Sequence, residues 1–273
     1  MRWTFLRSVP PFCQGRPRLV SLGRRAADAI ADFVLPRTCA FCGAIGRCDD
    51  DWPVCAACYR DLPWTGAACP RCARPLGATA GRDLACGRCL VRPPFFSTAY
   101  APLRYAFPVD AAVKALKFNA DLVFAPALAA LALPWLRQQV RNWDCLVPVP
   151  LHRWRQARRG FNQAMELARW LARHGGLPAV DAAVRRRRTR PQSELPANAR
   201  RANVRGAFRV VAPAVPARVL LVDDVMTTGE TCGELARVLL AAGAAEVGVL
   251  CMARAMPALR AAAVQTGTAG SKV

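Results

Sequence analysis

Lysine and acidic residues are scarce in this chain of 273 residues. Asp and Glu together number 18, against 39 Lys and Arg. Only Lys114, Lys117 and Lys272 are lysines, and none stands in a G-x-x-x-x-G-K-[ST] segment. That segment is needed to cradle phosphates in a P-loop ATPase, so this class of nucleotide site is excluded.

Long apolar runs are also missing. Residues 122–136 carry no charge, but they number fifteen and are interrupted by Pro126 and Pro134. A membrane-spanning helix needs about 20 apolar residues, so we predict a buried helix here and no membrane insertion. The first residues lack the clean apolar segment of a signal peptide, which favours a cytoplasmic location.

The positive charge is large and is carried almost entirely by arginine. The formal net charge is +21. Codon bias is one source of such an excess, since the chain is also rich in alanine, but the charge still favours polyanionic partners such as nucleic acid, or phosphorylated substrates. The densest run, at 185–190, is typical of a solvated segment or of one that binds polyanions.

Cysteine is abundant, with 13 residues, and eight of them form four Cys-x-x-Cys pairs. The first two pairs are 12 residues apart and the last two are 13 apart, close to the spacing of a four-thiolate zinc ribbon. Sequential pairing is the simplest arrangement, crossed pairing is an open alternative, and Cys48 could compete as a ligand. Redox dithiols or plain buried cysteines are the other interpretations. We predict two structural Zn²⁺ sites with the ligands Cys39, Cys42, Cys55, Cys58, Cys69, Cys72, Cys86 and Cys89.

The segment 219–231 predicts a strand, an acidic turn, a hydroxyl-rich loop and the start of a helix. Four apolar residues precede Asp223 and Asp224, and a further apolar run at 246–253 predicts the next strand. Helix-start N–H groups and threonine hydroxyls suit a phosphate monoester, and the carboxylates suit ribose hydroxyls or Mg²⁺. An ordinary strand–helix–strand crossover is the alternative. The candidate phosphate residues are Thr227, Thr228, Gly229, Glu230 and Thr231.

These motifs, with the Val-Pro-Val-Pro-Leu segment at 147–151 and the Arg-Gly-Phe-Asn-Gln-Ala segment at 159–164, resemble the ComF family, competence-type or GntX-like homologues of type I phosphoribosyltransferases. The resemblance implies an α/β fold of the type I phosphoribosyltransferase kind, a parallel sheet flanked by helices, with a small N-terminal zinc-ribbon domain built on four-cysteine sites. It implies binding of 5-phosphoribosyl 1-pyrophosphate (PRPP) with Mg²⁺. It also implies a pyrophosphate loop after Val149 and a flexible loop within 185–205.

Composition and the cysteine pattern, together with the resemblance, suggest four segments along the chain, of which the basic extension is not part of the family's pattern. They are a basic extension at 1–25, a zinc-ribbon region at 26–92, a phosphoribosyltransferase-like domain at 93–256 and a flexible tail at 257–273. The extension superficially resembles a transit peptide, although a disordered extension or an upstream start codon is the favoured interpretation.

Local patterns predict further elements. Residues 26–35 are typical of a short amphipathic helix, residues 97–105 of a strand, and residues 111–118 of a helix whose exposed side holds Lys114 and Lys117. Asn162 can cap the helix that follows it, and the lone Cys145, Cys232 and Cys251 are expected in the core.

Two functional hypotheses follow. The first is an enzyme that transfers a phosphoribosyl group from PRPP to an unassigned acceptor, with Asp223 and Asp224 positioning the ribose. The second is a PRPP-sensing or nucleic-acid-binding protein that uses its basic surface and its ribbons. Possible stacking residues for it are Trp52, Tyr59, Trp64, Trp154 and Trp170, although most tryptophans lie in cores. The resemblance links both to single-stranded DNA uptake in natural transformation, beside a ComFA-like helicase. An amidotransferase is disfavoured, because no N-terminal catalytic-cysteine domain is present.

Overall fold

The computed structural model describes residues 37–45, 48, 52–77, 84–187 and 203–256. The helix predicted at 26–35, the basic extension, the C-terminal tail and most of the predicted flexible loop lie outside the described residues. Within these ranges, no helix is at once long enough and apolar enough to cross a lipid bilayer.

A five-stranded parallel sheet forms the centre of the larger domain. Its spatial order is β1 and β2 beside β7, then β6, then β3. The strands span Thr98–Tyr100 (β1), Leu103–Arg104 (β2), Cys145–Pro148 (β3), Arg218–Met226 (β6) and Glu246–Arg254 (β7). A separate antiparallel pair comprises β4 (Ala183–Arg185) and β5 (Phe208–Val210), on either side of the undescribed residues 188–202.

Helices cover both faces of the sheet. They span Ala56–Asp61 (α1), Gly87–Val91 (α2), Val109–Phe118 (α3), Phe124–Gln139 (α4), Arg153–Arg159 (α5), Gln163–Gly175 (α6) and Glu230–Ala241 (α7), with a 3₁₀ turn at Val140–Asn142. Most of the uncharged segment, residues 124–136, therefore lies in a largely buried helix, as predicted, with Pro134 inside it, whereas Leu122 and Val123 precede the helix and are exposed. Asn162 caps α6, as predicted, because its Oδ1 accepts a hydrogen bond from the N–H of Ala164 (3.1 Å).

Alternation along β6 divides the core between the two faces. Leu220 and Val222 pack with α4 and α6, whereas Val219 and Leu221 pack with α7. All four side chains are fully buried, and burying an aliphatic side chain of this size stabilises a fold by roughly 1.5–3 kcal/mol. This double-sided burial explains why the strand is a continuous apolar run, as parallel strands usually are.

The structure corrects two of the predicted strands. The strand expected across 97–105 is split into β1 and β2, which pair with successive parts of β7. The acidic pair was expected to follow the strand, but Asp223 and Asp224 lie within β6. Its pairing with β7 continues to Met226, because β7 is long enough to supply partners up to Arg254.

Candidate functional site

The candidate site lies where β3 and β6 end side by side. The two strands pair in parallel, and the N–H of Val149 donates to the carbonyl of Val222 (2.9 Å) just beyond the last residue of β3. Ligands of open parallel sheets bind at this edge. The loop after Val149 and the loop at 227–229 therefore flank the same space, with the acidic pair at its base.

The two carboxyl groups at the base differ in burial and in proton affinity: Asp224 is buried, whereas Asp223 is half-buried. Asp224 is 3% exposed and forms an ion pair with the Lys117 ammonium group, while its N–H donates to Asp223 Oδ1 (2.9 Å). Burial raises the pKa of Asp224, but the attraction of Lys117 outweighs it and the pKa lies below the ordinary value. Burial and the negative Asp224 together raise the pKa of Asp223 well above it. Asp223 therefore keeps its proton to higher pH than Asp224 does.

The hydroxyl-rich loop turns sharply into α7. Gly229 precedes the helix with φ +81°, a left-handed conformation that L side chains rarely adopt, so the glycine is required by the turn. The Thr228 hydroxyl oxygen is buried and has no hydrogen-bond partner among the described residues. A buried hydroxyl without a partner is costly, so this group is suited to a ligand that fills the loop.

Three cations surround the acidic pair, and the sequence pattern had placed two of them elsewhere. Lys117 was expected on the exposed side of α3 but is half-buried against Asp224. Arg185 was expected in a run that is solvated or binds polyanions, but on β4 it is only 8% exposed, and burial lowers its pKa to about 10. Arg159 is held by Gln163 Oε1 (2.6 Å), and although burial lowers its pKa, the charge of Asp224 acts in the opposite direction. These cations suit a phosphorylated ligand.

The sequence feature that could have placed Lys117 at the site is its position in α3, not the fact that it is a lysine. The buried positions of α3 include Val113 and Leu116. Residue 117 is one helical turn after 113, so it lies at the border of the buried face, where a long side chain can reach the sheet.

A cavity of about 710 Å³ lies beside the loop that follows β3. Its lining includes His152, Asn162, Glu166 and Arg185, so it opens between that loop, the start of α6 and β4. His152 Nδ1 accepts a hydrogen bond from the N–H of Trp154 (3.2 Å), which fixes the turn from the loop into α5. The predicted pyrophosphate loop is thus an ordered turn with a basic helix behind it.

The eight predicted zinc ligands form two clusters with sequential pairing. The first ribbon is defined by Cys39, Cys42, Cys55 and Cys58, and the second ribbon by Cys69, Cys72, Cys86 and Cys89; in each, the four sulfurs lie within 4.8 Å of one another. Cys48 belongs to neither set. Of the lone cysteines, Cys145, Cys232 and Cys251 are buried core residues, as expected.

The sulfur geometry fits zinc. Two sulfurs bound tetrahedrally at about 2.3 Å from Zn²⁺ are about 3.8 Å apart. The Cys42 and Cys55 sulfurs are 3.8 Å apart, and the Cys72 and Cys86 sulfurs are 3.6 Å apart. Burial raises the pKa of Cys39, but N–H donors led by that of Cys55 lower it to about 6, and thiolates are the form that binds the metal. Each cluster is closed by four ligands, which is typical of a structural site.

Comparison with known proteins agrees with this architecture. Residues 30–90 match the model of a double zinc ribbon domain, and residues 135–261 match that of a phosphoribosyl transferase domain. A solved structure of an allosteric regulatory enzyme of purine biosynthesis is 23% identical and covers 47% of this chain and 26% of that one, with a TM-score of 0.32. The family models and the sheet define a phosphoribosyltransferase-fold protein with two N-terminal zinc ribbons.

Two curated relatives narrow the assignment. DNA utilization protein YhgH of Escherichia coli K12 is 36% identical over 236 residues, which are 82% of this chain and 100% of the relative. Competence protein F of Haemophilus influenzae is 31% identical over 211 residues, 74% of this chain and 90% of the relative. The chain belongs to the ComF family.

Proposed function

We propose that the chain binds PRPP together with Mg²⁺ across the ends of β3 and β6, and that it serves the handling of single-stranded DNA during natural transformation. The observation that carries the first part is the acidic pair Asp223 and Asp224, followed within one turn by the hydroxyl loop and the start of α7. The names of the relatives, which refer to competence and DNA utilization, support the second part.

Each part of the site has a role in this proposal. Asp223 and Asp224 accept hydrogen bonds from the ribose hydroxyls. Residues 227–231 surround the 5-phosphate with N–H groups and hydroxyls, at the positive end of α7. The loop after Val149 receives the pyrophosphate. Bound Mg²⁺ would balance the pyrophosphate charge.

Lys117 has a role both at the acidic pair and at the anionic end of PRPP. Before PRPP binds, its ammonium group pairs with Asp224 and favours the ionised form of that carboxyl group. When ribose hydroxyls donate to Asp224, they satisfy the same oxygens, and the ammonium group becomes available to the anionic end of PRPP. Lys117 therefore stabilises the acidic pair before binding and assists binding of the charged substrate.

The proposed reaction is transfer of the phosphoribosyl group. The bond from ribose C1 to the pyrophosphate oxygen breaks, pyrophosphate leaves with the electron pair, and an acceptor nucleophile forms the new bond to C1. Positive charge develops on the ribose ring, and the buried carboxylates lie where they can stabilise it. The acceptor is unassigned, and the 710 Å³ cavity beside the pyrophosphate loop is the space we would screen for it.

Calorimetry with PRPP, with and without Mg²⁺, tests the binding site. We expect Mg²⁺-dependent binding by the zinc-loaded chain and its loss when Asp223→Asn and Asp224→Asn are combined. The matched control is Asp121→Asn, which neutralises an exposed carboxylate outside the site. Wild-type protein that shows no heat with millimolar PRPP would contradict the proposal, as would a folded double variant of unchanged affinity.

A second function, binding of single-stranded DNA, is favoured by α5. Its seven residues include four arginines, and Trp154 is 43% exposed with the Arg158 guanidinium 5.6 Å from its ring centre. An exposed ring among cations suits base stacking beside phosphates. The structure narrows the aromatic candidates, since Trp52 and Trp170 are buried and Tyr59 and Trp64 are half-buried against other rings.

Anisotropy of a labelled oligothymidine over a salt series tests this surface. Neutralising Arg153 and Arg158 should reduce the slope of log affinity against log salt, because fewer counterions are released. Trp154→Ala should weaken binding by about 1–3 kcal/mol without changing that slope. A slope and affinity unchanged in both variants would place DNA binding elsewhere. A ComFA-like helicase partner and a cytoplasmic location, where thiols stay reduced, belong to the same proposal.

A further inference from the structure

The second ribbon contacts the phosphate loop through an arginine that the proposed function does not use. Arg88 stands between Gly87 and Cys89, in the last Cys-x-x-Cys pair. Its Nη1 donates to the carbonyl of Thr228 (2.9 Å) and its Nη2 to Glu230 Oε1 (2.7 Å). One guanidinium thus holds both the turn of the loop and the first residue of α7.

A second arginine completes the connection from the sheet side. Arg254, the last residue of β7, is 1% exposed. Its Nε donates to the carbonyl of Cys72 (2.9 Å), a zinc ligand, and its Nη1 to the carbonyls of Met226 (2.8 Å) and Thr227. The same side chain therefore binds the ribbon backbone and the beginning of the loop.

These contacts fix the direction of the loop's peptides. The carbonyls of Met226, Thr227 and Thr228 all accept hydrogen bonds from the two arginines. A planar trans peptide points its N–H away from its carbonyl. The next N–H groups, those of residues 227–229, are therefore directed away from the arginines. An anion receives donors from such a row of N–H groups.

We propose that the second ribbon is part of the PRPP site, with Arg88 and Arg254 as positioning residues that hold the phosphate loop in its binding conformation. The proposal rests on the proposed function. Neither residue needs to touch PRPP, since both act through the loop's carbonyls and Glu230. Affinity for PRPP then depends on an intact second ribbon.

The sequence supplies a matched control for Arg88. Arg71 takes the corresponding position in the other Cys-x-x-Cys pair of the same ribbon, immediately before Cys72, and it is exposed. Arg88→Ala and Arg71→Ala remove the same charge at equivalent positions of one zinc site. Any difference between them reports the contact with the loop and not a general attraction between a basic ribbon and an anion.

Two measurements on the full-length zinc-loaded protein test the inference. Calorimetry with PRPP and Mg²⁺ should show affinity about tenfold weaker in Arg88→Ala and unchanged in Arg71→Ala. Hydrogen exchange measured without PRPP should show faster exchange at 226–231 in Arg88→Ala only. Zinc content by mass spectrometry should stay at two ions per chain in both variants. Arg88→Lys, which keeps the positive charge but not the paired N–H donors of the guanidinium, should give intermediate affinity and exchange.

The outcomes separate the inference from the proposed function. If wild type binds PRPP and Arg88→Ala matches it in affinity and in exchange, the inference is wrong. If wild type does not bind PRPP, the proposed function is wrong, and the inferred PRPP role of the ribbon falls with it; faster exchange at 226–231 would then show only that Arg88 orders the loop. If Arg88→Ala loses zinc, the test is made with zinc-loaded Arg88→Lys instead. An affinity for PRPP and an exchange rate equal to those of wild type in that variant would overturn the inference.

Discussion

The two ribbons use the same four ligands but are attached to the protein by different physical means. The first ribbon packs through aromatic side chains, with Tyr59 against both Trp52 and Trp64, and Phe41 against Phe124 of α4. The second ribbon has less apolar contact: its own cluster consists of its cysteines with Leu76 and Ala85, and Ala73 joins the core on the α7 side of the sheet. Directed hydrogen bonds complete its attachment.

This difference predicts that one ribbon contributes mainly to stability and the other mainly to the geometry of the phosphate loop. Apolar contact is non-directional and grows with the area buried, so the first ribbon contributes mainly to stability. Hydrogen bonds require direction and distance, so a ribbon attached by them fixes the geometry of what it touches. The polar attachment of the second ribbon includes the N–H of Ala99 and the hydroxyl of Thr98, which both donate to the carbonyl of Pro70 (2.9 and 3.0 Å).

The largest effects should come from removing one zinc ligand from each ribbon. Cys39 and Cys69 occupy equivalent positions, and both are buried. Cys39→Ser should lower Tm by about 15 °C, because loss of the metal also loosens the aromatic packing on α4. Cys69→Ser should lower Tm by about half as much yet abolish PRPP binding. Zinc content, Tm and calorimetry provide the comparison, and equal losses of Tm with equal losses of binding would remove the distinction.

The next largest effect concerns the link between the second ribbon and the sheet. Arg254→Met keeps much of the apolar stem but removes the donors to three loop and ribbon carbonyls. We expect a loss of about 3 kcal/mol in the free energy of unfolding, since buried carbonyls lose their partners. Chemical denaturation measures it. Arg104→Met, which replaces an exposed arginine at the end of β2, is the control, and an equal effect there would contradict the argument.

The two zinc sites and the main elements of the fold could be predicted from the sequence, but the contacts between the second ribbon and the phosphate loop could not. The Cys-x-x-Cys spacings predicted two four-ligand sites, and the apolar runs predicted β6, α7 and β7, because these signals are local. Arg88 and Glu230 are 142 residues apart, and Arg254 and Cys72 are 182 apart. Those pairings depend on the register of β6 with β7, which no local pattern specifies.

Variants of the acidic pair should affect PRPP binding and stability in a pattern that differs from that of either ribbon. The pKa of Asp223 is raised above its unfolded value of 3.8. The folded state therefore holds this proton more tightly, and the stability it contributes is present below that value and is lost as pH rises through the folded pKa. Asp223→Asn has no charge to bury, so its Tm should exceed that of wild type increasingly with pH, by about 3 °C at about pH 8.

Asp224→Asn should behave in the opposite sense. Its pKa is lowered, because Lys117 outweighs burial, so its stability is present above the unfolded value and is lost as pH falls through the folded one. This variant should melt below wild type at neutral pH, and the deficit should shrink in acid. Both variants should keep two zinc ions and lose PRPP binding, a pattern that neither ribbon variant gives. Melting curves of the same sign for the two would contradict the assigned charges.

The smallest expected effect tests the first ribbon at one contact. Phe41 is half-buried, and its ring centre lies 6.0 Å from that of Phe124 at an interplanar angle of 63°. Phe41→Ala should reduce the free energy of unfolding by about 1–2 kcal/mol, because one edge-to-face pair and part of an apolar surface are lost. The affinity for PRPP should not change. Arg88→Ala should show the opposite pattern, with weaker affinity for PRPP and a nearly constant Tm. If Phe41→Ala weakened PRPP binding as well, apolar packing of the first ribbon would also shape the loop, and the two ribbons would differ only in degree.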